Sequence, residues 1–213
     1  KHAFGDLIRS VENGEVDILV GTQMVTKGLD FDRVGLVGIM SADNLLSFPD
    51  FRANERAFQL IEQVAGRTGR RTSKGKVVIQ AMKPRHSIIQ LALNHDFTGM
   101  QAKELAVRQE YQYPPFVRLI TITLKHRDQK LLQRAAGEFA RSLHSKIGDR
   151  FLGPEFAPIS RLKNLYQMQI IVKVDKGSIG AKVRERIKKS HQEVLLTPDF
   201  NRVKVVFDVD PNS

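Results

Sequence analysis

Residues 63–70 read Gln-Val-Ala-Gly-Arg-Thr-Gly-Arg, and the rest of the chain is best interpreted outward from this stretch. It closes a run between Ala57 and Ala65 in which apolar residues recur at helical spacing, which predicts an amphipathic helix. Gln63 and Arg67 are four residues apart and therefore share one face of that helix. Arginines flanked by glycines can approach a polyphosphate closely and grip its oxygens in pairs. The alternative interpretation is a basic helix end whose arginines complement the helix dipole.

The pattern Q-x-x-G-R-x-G-R in residues 63–70 resembles motif VI of superfamily-two helicases. The likeness extends outward, because residues 50–56 and 21–31 resemble the flank of that motif and motif V in the primosomal protein N′ (PriA) helicase family. Three further segments fit the C-terminal domain of that family: Pro114-Pro115, Leu152-Gly153-Pro154 and Asp208-Val209-Asp210-Pro211. The resemblance therefore covers nearly the whole sequence.

The composition favours a polyanion-binding function in the second half of the chain. The 213 residues carry a formal net charge of +11 and include no cysteine, which excludes disulfides and Cys-ligated zinc within this sequence. Residues 111–213 hold 19 Lys and Arg against 10 Asp and Glu, whereas residues 1–110 hold 15 against 13. No apolar run approaches a membrane span. The first residue is Lys1 and not Met, so we expect a piece of a longer protein.

Residues 1–112 are predicted to form one domain, an α/β layer with a parallel sheet and helices on both faces. Short apolar runs at residues 16–20, 34–40 and 76–82 predict buried strands. Helical spacing predicts helices at residues 4–13, 51–65, 86–93 and 98–110. The resemblance implies that this domain is part of lobe 2 of a RecA-like helicase motor.

Residues 113–213 are predicted to form a second, smaller α+β domain that begins at Tyr113-Pro114-Pro115, where the prolines oppose helix formation. Alternating apolar residues predict strands near 116–124, 166–174 and 203–209, and residues 151–159 predict an interrupted one. Helical stripes lie between them, at residues 132–147 and 179–187. The resulting order β-α-β-β-α-β is the ferredoxin-like split pattern.

One face of this second sheet is expected to be polar and cationic, because both helices cover the other face. The hairpin at residues 161–165 is basic, and short loops of Lys and Arg contact phosphates without reading sequence. The cations of residues 182–189 are better explained as the solvated face of a helix. We therefore predict a DNA-phosphate surface made of Arg161, Lys163, Lys173, Arg202 and Lys204.

The family resemblance implies roles for residues in the first domain. In such motors the second lobe supplies arginines that stabilise charge on the transferring phosphoryl group, and motif V touches both nucleotide and nucleic acid. The residues implied are Arg67 and Arg70 for catalysis, Gln63, Gly28 and Asp30 for ATP binding, and Thr22, Gln23 and Lys27 for DNA binding. The simpler interpretation of Asp30 is an ordinary turn or helix-cap residue.

The resemblance also implies an ATP-dependent 3′-to-5′ DNA helicase that recognises stalled or repaired replication forks and initiates primosome assembly and replication restart. It implies ATP and Mg as cofactors of the full-length protein, and zinc upstream of this sequence. The implied partners are forked and single-stranded DNA, single-stranded-DNA-binding protein and helicase-loading proteins, with no membrane. The implied location is the bacterial cytoplasm, in association with the nucleoid.

The chain on its own is predicted to be inactive as an ATPase. It contains neither the G-x-x-x-x-G-K-[ST] loop nor a D-E-x-H motif, so nothing in it is expected to hold the β-phosphate or Mg²⁺. The six histidines show no metal-ligand spacing. Two alternatives remain open: a different superfamily-two DNA or RNA helicase, and a non-enzymatic nucleic-acid-binding module.

Overall fold

The computed structural model describes residues 2–22, 34–66 and 75–211. The chain divides into two compact units, residues 1–104 and 105–213. The predicted fold class is confirmed, since one unit holds a small parallel sheet with helices and the other an antiparallel sheet with helices. The predicted domain boundary after residue 112 stays a prediction.

The first unit contains a two-stranded parallel sheet. Strand β1 (Leu36–Ile39) pairs with β2 (Lys76–Ile79), in a register that sets Leu36 opposite Lys76. The helices that begin in this unit are α1 (His2–Glu12), α2 (Ala42–Leu46), α3 (Ala53–Ala65), α4 (Ser87–Leu93) and α5 (Phe97–Glu110). Two of the three strands predicted for this unit, those at residues 34–40 and 76–82, are thus confirmed in a shorter form.

Helix α3 leads into the stretch that resembles motif VI, and two features fix it. Its buried residues Phe58 and Ile61 pack in one core with Ile88 of α4, as the helical spacing predicted. At its start, the carboxylate of Asp50 accepts a hydrogen bond from the Arg52 backbone N–H at 2.9 Å and pairs with Arg56 at 3.1 Å. Helix α3 is therefore held by its buried face along its length and by the Asp50 contacts at its start.

The strand predicted at residues 16–20 is wrong. The structure has no regular element there, and the side chains of Ile18 and Val20 are 80% and 83% exposed. An apolar run becomes a strand only where neighbouring strands satisfy its backbone N–H and C=O groups. Within the described residues the parallel sheet consists of β1 and β2, so this run has no partner strand.

Asp43 ties together the loops that follow the two parallel strands. Its carboxylate accepts hydrogen bonds from the backbone N–H groups of Met82 at 2.7 Å and Lys83 at 3.3 Å. Beside it, the Ala42 N–H donates to the carbonyl of Gln80 at 3.0 Å. The hydrogen bond from Met82 is the main cause that lowers the pKa of Asp43 below its usual value.

We expect Asp43→Asn to lower the thermal unfolding midpoint of the chain at neutral pH, because a neutral amide binds these N–H groups more weakly. Since the folded pKa is lowered, the stabilisation is present above the unfolded value of 3.8 and is lost as pH falls through the folded value. The gap between variant and wild type should therefore close in acid. Asp6→Asn in α1 is the control, and a gap independent of pH would contradict the assignment.

In the second unit, a four-stranded antiparallel sheet is covered on one face by helices. Its strands are β3 (Arg118–His126), β4 (Phe151–Leu162), β5 (Leu165–Val174) and β6 (Lys204–Val209), in the order β4-β5-β3-β6. The helices are α6 (Gln129–Ile147) and α7 (Ser178–Leu196), with a short 3-10 turn at Pro198–Phe200. This is the predicted ferredoxin-like connectivity.

The core of the second unit lies between the helices and one face of the sheet. The buried side chains of Ile122, Leu124, Ile170 and Val172 alternate along β3 and β5 and pack against Phe139 of α6. Residues at the intervening positions, such as Thr123 and Gln169, form the other face, which we call the open face. The prediction of which residues in β3 and β5 face the core, and which face away from it, is therefore confirmed.

Local geometry fixes the hairpin between β4 and β5. Leu162 pairs with Leu165, and the two residues between them, Lys163 and Asn164, have φ angles of 49° and 60°. Two left-handed residues in a two-residue loop form the turn type that matches the twist of antiparallel strands. At the far end of β4, Gly153 has φ 92°, and an added Cβ would lie 2.6 Å from the carbonyl oxygen of Gln169. Only glycine fits that position.

Candidate nucleic-acid interface

Five cationic side chains gather at one end of the antiparallel sheet. They line a cavity of about 290 Å³, which we call the basic pocket. Its lining residues are Lys125, His126, Arg127, Lys163, Leu165, Arg202 and Lys204. The predicted residues Lys163, Arg202 and Lys204 are therefore brought together, and Lys125 and Arg127 join them.

Separate segments deliver these cations to the same place. Lys125 is the penultimate residue of β3 and lies opposite both Gln167 of β5 and Lys204 of β6. Lys163 is held by the hairpin turn, and Arg202 precedes β6. The pocket therefore depends on the complete sheet.

The turn that carries Arg127 is fixed by hydrogen bonds on both sides. The Asp128 N–H donates to Nδ1 of His126 at 3.0 Å, and the Asp128 carboxylate accepts from the Leu131 N–H at 3.1 Å as the cap of α6. This backbone hydrogen bond is the main cause that lowers the pKa of Asp128. Asp128 is thus engaged by the helix end, and Arg127 lies exposed beside it.

Several carboxylates of the second unit pair with cations outside the basic pocket. Among the described residues, none of the five pocket cations forms an ion pair with a carboxylate. Other cations of the unit do form such pairs: Arg118 with Asp210, Arg141 with Glu138, Lys146 with Glu193, Arg150 with Asp175, and Lys189 with Glu185. The basic pocket is therefore a concentrated positive region that can bind anions.

Arg161, although predicted with this set, does not line the pocket. It pairs with Tyr166, whose position along β5 is that of the helix-covered face. Its guanidinium lies 5.0 Å from the centre of the Tyr166 ring, and it donates to the Asn164 side-chain oxygen at 3.4 Å. It is exposed at the same end of the sheet, so contact with a long polyanion stays a prediction.

Lys173 lies at the opposite end of the sheet from the pocket. It is opposite Leu119, six residues along β5 from Gln167, or about 20 Å at the usual rise of a strand. Its ammonium donates to the Tyr111 carbonyl at 2.7 Å and lies 4.6 Å from the centre of the Tyr113 ring. Burial lowers the pKa of Lys173. The structure therefore uses Lys173 to hold the segment before β3 and does not bring it to the other predicted cations.

Most residues that the helicase motifs single out lie outside the described residues. These are Gln23, Lys27, Gly28, Asp30, Arg67 and Arg70. Thr22 is described and exposed, and Gln63 is half-buried on α3, two residues before the end of that helix. Their predicted roles in ATP and DNA binding stay predictions.

Sequence reasoning missed Arg127 and placed Lys125 only on the open face. Arg127 lies in a short turn between β3 and α6, where no periodicity indicates which way a side chain points. Lys125 could have been found from the strand pairing, because it lies opposite the predicted Lys204. The observation that identifies Lys125 is therefore the register between β3 and β6, and that register is known from the structure and not from the sequence alone.

Two other kinds of site were sought in the described part of the chain. No cluster of three or more His, Asp or Glu side chains there could hold a metal ion. Of the helices described, none combines the length and the apolar character that crossing a bilayer requires.

Known family models match both halves of the chain. The family model for the primosomal protein N C-terminal domain matches residues 109–212, and the model for the helicase conserved C-terminal domain matches residues 5–72. Together the two matches span most of the sequence and include the stretch from which the interpretation began.

Curated relatives match over nearly the whole chain. It is 38% identical over 209 residues to the replication restart protein PriA of Bacillus subtilis (strain 168), a match covering 94% of this chain and 26% of that protein. It is also 38% identical to the protein of that name from Synechocystis sp., covering 100% and 25%. For Chlamydia pneumoniae the values are 34% identity, 96% and 27%.

The chain thus spans about a quarter of the length of these curated relatives. The matches to two consecutive domain models and to the relatives agree with the motifs quoted above. The chain belongs to the primosomal protein N′ (PriA) family and corresponds to the C-terminal part of its members.

Proposed function

We propose that this chain is part of an ATP-dependent 3′-to-5′ DNA helicase that recognises stalled or repaired replication forks and initiates replication restart. The chain supplies the arginine-bearing half of the ATP site and a DNA-binding domain. Single-stranded-DNA-binding protein and primosome or helicase-loading proteins are its proposed partners, at the nucleoid in the bacterial cytoplasm. ATP, Mg²⁺ and zinc are proposed for the full-length protein, with zinc and the phosphate-binding loop outside this sequence.

The observation that carries the DNA-binding part is the basic pocket. Five cations converge there from different segments, and in the described residues none is neutralised by a carboxylate. Lys and Arg contact DNA mainly through phosphate oxygens, and such contacts supply affinity without sequence preference. A positive region of this kind supports binding to the backbone of DNA of any sequence.

The motor half is supported by the fold around α3. In the sequence this helix leads directly into Arg67 and Arg70, and its core contacts and the Asp50–Arg56 ion pair at its start fix its direction. A rigid support is what an arginine that stabilises a transferring phosphoryl group requires, because small displacements cost large factors in rate. In the full-length protein, we propose that closure of the two lobes on ATP moves the motif V segment along one DNA strand.

The DNA-binding proposal is tested by neutralising Lys163 and Arg202 together. We expect the double variant Lys163→Gln/Arg202→Gln to bind a labelled fork more weakly than wild type, and equally so for unrelated sequences. The slope of log K against log salt should decrease by roughly two, about 0.9 for each lost phosphate contact on duplex DNA. Fluorescence anisotropy over a salt series of about 50–200 mM measures both quantities.

The matched control removes two cations from the solvated face of α7. Lys182 and Lys188 are exposed, and the double variant Lys182→Gln/Lys188→Gln has the same net charge as the test variant. It should retain the wild-type salt slope. An unchanged slope in Lys163→Gln/Arg202→Gln, or an equal decrease in the control, would contradict the assignment of the pocket.

A further inference from the structure

We propose that the basic pocket binds a phosphomonoester, the terminal phosphate of a DNA strand, in preference to an internal phosphodiester of the DNA backbone. The inference rests on the proposed DNA-binding function and narrows its ligand. It stands on three features of the second unit: the localisation of its positive charge, the size of the pocket, and the like charges that face each other inside it.

The positive charge of the open face is concentrated at the pocket end, because Lys173 at the other end is engaged by the Tyr111 carbonyl and lies against the Tyr113 ring. Beyond Lys125, the open face continues with the neutral side chains of Thr123 and Thr121. The exposed carboxylates of Asp208 and Glu155 lie on the same face, opposite Thr121 and Gln169. A strand running along this face would leave the cations after one or two phosphates and then meet carboxylates. The charge pattern therefore favours a compact anion over an extended one.

The size and charge of the pocket fit a terminal phosphate. Its volume of about 290 Å³ is just below the range of roughly 300–1,000 Å³ that is typical of small-ligand sites. A backbone phosphodiester carries one negative charge, whereas a phosphomonoester carries about 1.5–2 at neutral pH and three acceptor oxygens. Convergent Lys and Arg side chains match the second better, because Arg grips two oxygens at once and Lys adds a point charge.

Two of the lysines repel each other in the free protein. Lys125 and Lys204 are directly opposite on neighbouring strands, where side chains on the same face lie close and like charges destabilise the pairing. No described carboxylate pairs with either of them. An anion bound between the two ammonium groups would relieve this repulsion, so the facing lysines favour a ligand that supplies negative charge.

The test compares two single-stranded oligonucleotides of about ten nucleotides, a length within the usual site size. Both carry a 3′ fluorophore, and they differ only in a 5′-phosphate or a 5′-hydroxyl. We expect the 213-residue chain to bind the 5′-phosphorylated form about tenfold more tightly, as one added charge-assisted contact would give. The preference should disappear in Lys125→Gln/Lys204→Gln and persist in Lys182→Gln/Lys188→Gln.

Thermal unfolding separates loss of the site from loss of the fold. Because one repulsive pair is removed, free Lys125→Gln/Lys204→Gln should unfold at a temperature no lower than that of wild type. The phosphorylated oligonucleotide should raise the midpoint of wild type, because a ligand that binds only the folded state stabilises it, and should fail to do so for the variant. A variant that unfolds well below wild type would overturn the argument from like charges.

The remaining outcomes distinguish failure of the end-phosphate proposal from failure of the proposed DNA-binding function. Equal affinity for the two oligonucleotides would overturn the end-phosphate proposal while leaving DNA binding intact. Failure of both to bind at low salt would remove the DNA-binding function itself. Inorganic phosphate is used as a competitor to distinguish a free anion from the end of a strand. If it displaces the labelled oligonucleotide at the same concentration as the unlabelled 5′-phosphorylated strand does, the pocket binds free phosphate and the end-phosphate proposal is overturned.

Discussion

In the full-length protein, Arg70→Ala is expected to lower the rate of ATP turnover by roughly 10³-fold while DNA affinity stays close to wild type. That factor is the scale of a lost arginine finger. The residue closes the motif that follows α3, and its guanidinium is proposed to neutralise charge that develops on the γ-phosphoryl group only in the transition state. Steady-state ATPase measurements with saturating forked DNA provide the readout.

Two further variants sharpen this test. Arg70→Lys keeps the charge but loses the planar fork, so it should recover only part of the rate. Arg85→Ala removes an exposed arginine of the same unit and should leave turnover within a few-fold of wild type. If Arg70→Ala behaves like Arg85→Ala, Arg70 has no role in phosphoryl transfer.

The 213-residue chain alone is expected to bind DNA but to hydrolyse no ATP. The sequence has neither Walker-type element, so the arginines following α3 would meet ATP in open solvent. A charge pair there is worth about 1 kcal/mol, compared with several in a closed, water-excluded site. ATP affinity should therefore be negligible, whereas the basic pocket, which belongs entirely to the second unit, remains complete.

Phosphate release and fluorescence anisotropy on one sample measure both halves of this prediction. DNA-stimulated ATP hydrolysis by the purified chain would overturn the two-lobe interpretation of the motor. Binding of DNA without hydrolysis would leave it standing, and the affinity should fall steeply as salt is raised. Failure to bind any DNA at low salt would instead direct the basic pocket toward an acidic protein partner.

Periodicity carried most of what could be predicted of the fold. The stripe from Leu132 to Ile147 became α6, and the alternation from Tyr166 to Val174 became β5 with the predicted face buried. The apolar run at residues 16–20 failed because strand formation depends on a neighbouring strand and not on the run itself. The spacing of apolar residues therefore predicts a helix or strand well when those apolar residues are buried in the core.

The candidate site was less predictable because its geometry is non-local. The alternation of residues along β5 predicted Lys173 on the open face. It could not show that the Tyr111 carbonyl and the Tyr113 ring would engage the Lys173 ammonium. Arg161 was predicted in the hairpin loop, but the structure includes it in β4, where it pairs with Tyr166. Both outcomes depend on which segments meet in space, and spacing along the sequence does not contain that information.

The pairing of β3 with β6 has a consequence for folding. Lys125 and Lys204 are distant in the chain and become neighbours only when this long-range pairing closes, a step that is slow compared with local hairpin formation. Partly folded chains with β4 and β5 paired would carry the same charges but not the same concave site. Retention on immobilised DNA thus provides an assay of folding. Chains in which β6 has paired with β3 should bind the DNA, and chains without that pairing should be washed off.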